Sequence, residues 1–159
     1  MNATSAPTPP TLGPWNEQGM PLYGHEVAYT QEYDVARMDG RYVVTLRSWY
    51  GSVAEVRVNA VSAGFIWHQP WELDVTKSLK TGHNVIEVVV VGTLKNTLGP
   101  HHGKPPLGFT SPASFRIAPA EGPPAGDGYA TVGYGLFEPF AVIHRVGEAG
   151  TDSGGRGEN

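Results

Sequence analysis

Residues 85–91 read Val-Ile-Glu-Val-Val-Val-Val, a β-branched run broken by one carboxylate. Side chains branched at Cβ crowd a helix but pack well on a pleated surface, so the run reads as a strand buried on both faces. The residues upstream supply its companions. Ala54, Val56 and Val58 alternate with Glu55, Arg57 and Asn59, the period-two pattern of a strand with one buried face. Residues 59–64 are small and polar, a turn, and 63–67 read as the next strand. Pro70 interrupts it, Leu73 and Val75 point back inward, and 76–82 suggest one helical turn closed by Gly82. Residues 53–93 thus amount to half of a β-sandwich.

The rest of the chain agrees with a sheet protein. Strands are expected at 26–35, where Val27, Tyr29, Gln31 and Tyr33 share a side, and at 41–48, where Tyr42, Val44 and Leu46 do; Met38-Asp39-Gly40 is the turn between them. Trp49-Tyr50-Gly51 ends the second strand, and 15–23 form an ordered loop. Residues 94–112 form a long Gly- and Pro-containing connection of the sort that often carries function. Short strands are expected at 114–117 and 130–134 around a Gly/Pro/Ala loop. The last strand, 136–146, would be an edge or bulged one because of Pro139. The fold class is all-β, a two-sheet β-sandwich of jelly-roll type with about eight strands. Residues 1–14 read as a linker-like terminus that tethers a neighbouring domain, 15–146 as the sandwich domain, and 147–159 as a disordered polar tail.

Composition limits the function. The chain has 159 residues, 40% of them hydrophobic, enough for one domain with a real core. Its 21 glycines and 14 prolines lie mostly between apolar runs, as turns do. With no cysteine, disulfide scaffolds and thiolate metal sites are excluded. A formal net charge of −4 without a basic block argues against nucleic acid as a partner. No run approaches the roughly 20 apolar residues of a membrane span. Residues 1–10 lack the charged and apolar halves of a signal peptide, which leaves an intracellular protein or a module of a longer, secreted or periplasmic, precursor.

The segments VRVNA, AG, the Pro70-Trp71 pair, ELDVT, LK and GHNVIEVVV, in that order, resemble the galactose-binding-like jelly-roll accessory domains of large glycoside hydrolases, the family 2-like sugar-binding type. The likeness continues in LKNTLGPHH and, more loosely, through WNEQGMPLYGHEVAY and YGLFEPF. In those domains glycine usually stands where this chain has Ala60, so the turn here is expected to be tighter or of another type. The resemblance implies a neighbouring catalytic domain. It implies a fold more firmly than a ligand.

Several residues could carry chemistry. Trp49, Tyr50, Trp67 and Trp71 sit at expected strand ends or turns, where flat rings could meet the C–H face of a sugar. The competing reading makes them core. His68 lies within WHQPW, and Lys95, Asn96, His101 and His102 lie in the long connection that the resemblance marks as a loop motif. Imidazoles here suit hydrogen bonds to loop carbonyls or sugar hydroxyls. There is no HExxH or His-x-His pattern that would hold zinc or copper. Glu72 and Asp74 share a strand face roughly 6.5–7 Å apart, within the spacing of hydrolytic carboxylate pairs. Leu73 and Val75 mark that face as solvent, however, and Asp74 is placed to accept backbone N–H bonds instead. No nucleophile motif is present. No cofactor is expected; a structural calcium, which such sandwiches often hold, finds no Asp-x-Asp loop here.

Three functions remain in view. The first is a non-catalytic carbohydrate-binding module that targets a glycoside hydrolase to a polysaccharide or oligosaccharide through Trp67, His68, Trp71, Trp49, Tyr50, Lys95, Asn96, His101 and His102. The second is a structural brace packed on a catalytic domain, which a large exposed apolar patch would favour. The third is a small metal-dependent carbohydrate-active enzyme.

Overall fold

A computed structural model describes residues 11–99, 111–116, 122 and 128–146. His101 and His102 lie outside the described residues, as do residues 1–10 and 147–159 of the two expected tails. The described chain is an all-β sandwich of antiparallel sheets. Strands β1 (Glu26–Val35), β7 (Gly82–Val91), β4 (Val53–Val58) and β5 (Val61–Ile66) form one sheet, in that spatial order. Strands β6 (Glu72–Asp74), β2 (Arg41–Thr45) and β9 (Ala141–Arg145) form the second, and β3 (Trp49–Tyr50) with β8 (Gly135–Leu136) makes a short ribbon.

The apolar strand β7 takes an interior place, bonded to β1 on one edge and β4 on the other. Ile86, Val88 and Val90 point into the sandwich with Ala54, Val56 and Val58, and Tyr42, Val44 and Leu46 come from the facing side. β1 is an edge strand of the first sheet. Between β4 and β5, Asn59 and Ala60 both have positive φ, 51° and 66°. Such a two-residue turn twists with the strands it joins, and Ala60 occupies a left-handed position that glycine would hold without strain.

The Asn of that turn meets Asn84 of the GHNVIEVVV run. Asn59 Nδ2 donates to Asn84 Oδ1 at 3.0 Å, and Asn59 Oδ1 accepts from the Val85 N–H at 3.1 Å. These two bonds tie the β4–β5 turn to the start of β7.

Four expected elements differ. Pro112–Arg116 is a 3-10 turn, not the start of a strand; Ser111 and Ser114 bond one another, and such local bonds compete with a ladder. Residues 130–134 form no strand, because the backbone of Val132 is bonded on both sides to the side chain of Asn96. The single strand expected at 136–146 is two, β8 and β9, separated around Pro139, which has no N–H to offer a ladder. The helical turn expected over 76–82 is confined to Thr76–Ser78, and a helix not foreseen, α1 (Lys95–Leu98), follows β7.

Candidate functional site

The ribbon of β3 and β8 places aromatic rings at one end of the sandwich. Trp49 faces Leu136 and Tyr50 faces Gly135 across the pair. Gly135 has φ 141°, and a Cβ there would lie 2.6 Å from Gly13 O and 3.0 Å from Trp15 Nε1. That close approach lets residues 13–15 bond along β8, with Gly13 N–H donating to Leu136 O and Trp15 N–H to Tyr134 O. Tyr134 is buried, hydrogen-bonds Thr93 through its hydroxyl, and stacks under Tyr50 with ring centroids 5.8 Å apart and planes 10° from parallel. Tyr50 therefore stands on a fixed support while keeping 40% of its surface exposed.

Trp71 arrives from the other sheet. After the Gln69–Pro70 bond, which is cis, its carbonyl accepts from the Leu46 N–H at 2.9 Å and fixes the chain beside β2. Its indole meets that of Trp49 edge to face, 5.3 Å between centroids and 89° between planes. Phe137 completes the wall, held by its N–H to Ser48 O at 2.9 Å. Arg47, Ser48, Trp49, Tyr50, Gly51, Trp71 and Phe137 enclose an open cleft of about 330 Å³. A second recess of about 340 Å³ lies across Trp49, Tyr50 and Phe137, towards Thr131 and Gly133. Trp49 and Trp71 are half-buried, so each ring contributes both to the core and to the cleft.

The expected ligand residues divide into groups. Trp49, Tyr50 and Trp71 come together in the cleft. Trp67 and His68 do not line it; they form a second exposed pair, edge to face at 4.5 Å, with Trp67 66% exposed. Asn96 is buried: Nδ2 donates to Val132 O at 2.7 Å and Oδ1 accepts from Val132 N–H at 2.8 Å. It fastens α1 to residues 130–132 instead of facing a ligand. Lys95 Nζ donates to the Ala130 carbonyl, and burial pulls its pKa below the usual lysine value. Sequence reasoning missed Arg47 and Phe137, although Trp49 and Tyr50 follow the first closely and YGLFEPF contains the second; they become site residues only because the β2–β3 and β8–β9 connections meet.

The two carboxylates of β6 are tied to arginines. Glu72 accepts a two-point contact from Arg145 at 2.9 and 3.0 Å, and Arg41 Nε reaches Asp74 at 2.8 Å. Asp74 also accepts from the Thr76 hydroxyl at 2.6 Å and the Thr76 N–H at 3.0 Å. These Thr76 bonds first, and Arg41 after them, hold its pKa down at about 2. A carboxylate lowered in this way adds stability that is complete above its unfolded pKa and is lost as the pH falls through 2. We expect the stability difference between the native chain and Asp74→Asn, measured by urea unfolding, to be about 1 kcal/mol at neutral pH after solvent screening and to vanish near pH 2. Among the described residues, no group of three His, Asp or Glu side chains is placed to hold a metal ion, and no helix is long and apolar enough to cross a membrane.

No protein-family model matches the chain. An 84-residue stretch, 51% of the chain, is 32% identical to part of a Formosa agariphila protein named "Putative beta-glucuronidase", of which it covers 7%. The structure of a rhamnosidase from Novosphingobium sp. PP1Y aligns with 76% of the chain at 24% identity and a TM-score of 0.51, over 11% of its own length. A Bifidobacterium dentium beta-glucuronidase solved with coumarin-3-O-glucuronide aligns more loosely, with 65% of the chain at 22% identity and a TM-score of 0.43, over 19% of its length. The rhamnosidase likeness is one of fold. The chain spans only a small part of each of these proteins.

Proposed function

We propose that this sandwich is a non-catalytic carbohydrate-binding module of a polysaccharide-degrading enzyme, of the galactose-binding-like jelly-roll type. The observation that carries the reading is the cleft of Trp49, Tyr50, Trp71 and Phe137, where Tyr50 rests on the buried Tyr134 ring and the Trp49 and Trp71 indoles brace each other edge to face. Pre-positioned aromatic faces with a few polar groups are what a pyranose needs, since little freedom is lost when it docks. Names of glycoside-cleaving enzymes among the similar proteins support a carbohydrate setting and a catalytic neighbour. The tethering of Glu72 and Asp74 to arginines supports a role in binding instead of hydrolysis. Trp67 and His68 would give a second contact for a longer glycan.

Affinity electrophoresis in gels containing soluble polysaccharides tests this. The native chain should be retarded by at least one of them, and Trp71→Ala should weaken retardation roughly ten-fold or more, a lost ring being worth about 1–3 kcal/mol. Retardation unchanged in Trp71→Ala and in Tyr50→Ala, with both variants folded, would remove the cleft from consideration.

A second reading has its own support. On the edge strand β5 and just beyond it, Val61, Phe65 and Trp67 are 68, 55 and 66% exposed. An apolar stripe on an unpaired edge suits packing against a neighbouring domain. On that reading the chain is a brace, and no glycan would retard it.

A further inference from the structure

The cleft has a cation on its rim that nothing in the described structure neutralises. Arg41, Arg57 and Arg145 are each bound to a carboxylate, Asp74, Glu55 and Glu72. Arg47 is exposed, lines the cleft, and makes no ion pair among the described residues. No Asp or Glu lines the cleft with it. The nearest carboxylate along the opposing connection belongs to Glu138, whose N–H bonds Ser48 O at 3.3 Å and whose side chain is neither a lining group nor an ion-pair partner of Arg47.

A planar guanidinium offers parallel N–H donors that fit two oxygens of one anionic group, a geometry that neutral hydroxyls reproduce poorly. Beside it, Trp49, Tyr50, Trp71 and Phe137 supply the flat surface that a sugar ring requires. We infer that the cleft selects an acidic sugar, the ring lying on the aromatic wall and its carboxylate or sulfate ester meeting Arg47. This rests on the glycan-binding reading and adds to it the class of sugar. The chain's net charge of −4 gives no general attraction for polyanions, so any preference for acidic sugars has to come from a local cation.

The test pairs each acidic ligand with its neutral counterpart. Oligosaccharides from glucuronan, polygalacturonate and alginate, their carboxyl-reduced forms, and sulfated forms of the reduced sugars are titrated calorimetrically into the intact chain and into Arg47→Gln, Arg47→Lys and Trp71→Ala. Expected is a preference of roughly ten-fold or more for an acidic form over its reduced form, as one charge-assisted contact supplies. In Arg47→Gln the two affinities should converge, and Arg47→Lys should keep part of the gap. A larger gap for carboxylates or for sulfate esters identifies which anion the site takes. Equal binding of acidic and reduced sugars, abolished by Trp71→Ala, would overturn the inference and leave the glycan site standing. So would a preference that persists in Arg47→Gln. Binding of no sugar at all would overturn both.

Discussion

Replacing Asn84 by alanine is expected to lower the unfolding free energy by about 3 kcal/mol or more, and the melting temperature by roughly 10 °C. The side chain is fully buried at the start of β7. Its Oδ1 accepts from the Lys80 N–H and from Asn59 Nδ2, both at 3.0 Å, and its Nδ2 donates to the carbonyls of Lys80 at 2.8 Å and Gly82 at 2.9 Å. An amide can make four such bonds, and all four are made. Alanine removes every partner at once, and an unsatisfied group out of water costs more than a hydrogen bond contributes. Asn84→Asp keeps the shape but cannot donate when ionised, so two carbonyls would face an anion and the loss should be at least as large. Asn59→Gly tolerates the positive φ and removes only the turn's share of the network, so a smaller loss is expected. Thermal and urea unfolding of the three variants decide the matter. A loss below about 1 kcal/mol for Asn84→Ala would mean that water replaces the amide without penalty.

The second large effect is expected at Trp15. Trp15→Ala should cost about 3–5 kcal/mol, the range for emptying a large aromatic site. The indole is fully buried and meets Tyr23 and Tyr134 at centroid distances of 5.8 and 5.9 Å. Its Nε1 donates at 2.8 Å to the Tyr29 hydroxyl, which also accepts the Leu136 N–H at 3.1 Å. Trp15 thus wedges between β1 and the β8 ribbon, behind the ring that supports Tyr50. The variant should melt roughly 10 °C lower or more and, at temperatures where it is still folded, bind a glycan less well than the native chain. Trp15→Phe refills most of the volume without the N–H donor, so its loss should be smaller and should report on the bond to Tyr29. Equal stability of Trp15→Ala and the native chain would show that residues 11–15 are not part of the folded unit.

Much of the sandwich could be read along the chain. β1, β4 and β7 each repeat or sustain an apolar pattern over at least six residues, and side-chain direction in a strand is set by its neighbours in sequence. Asp74 was readable too, because its partner Thr76 lies two residues away. Residues 130–134 misled for the opposite reason: their pattern suits a strand, but Asn96, some 36 residues upstream, occupies the backbone groups that a ladder would need. In the same way Asn96 looked like a polar loop residue until its partner was known.

The candidate site divides along the same line. WHQPW announced aromatics at a turn, yet nothing local distinguishes Trp67, which stays exposed, from Trp71, which turns onto Trp49. From its residues alone the chain determined that it would fold as sheets around residues 85–91 and that no thiolate chemistry was open to it. Only the tertiary structure decided that Trp49, Tyr50, Trp71 and Phe137 share one cleft with Arg47 on its rim. Strand and turn preferences act between near neighbours and leave their period in the sequence. A site assembled from three separate connections depends on how two sheets pack, and that packing leaves no local pattern.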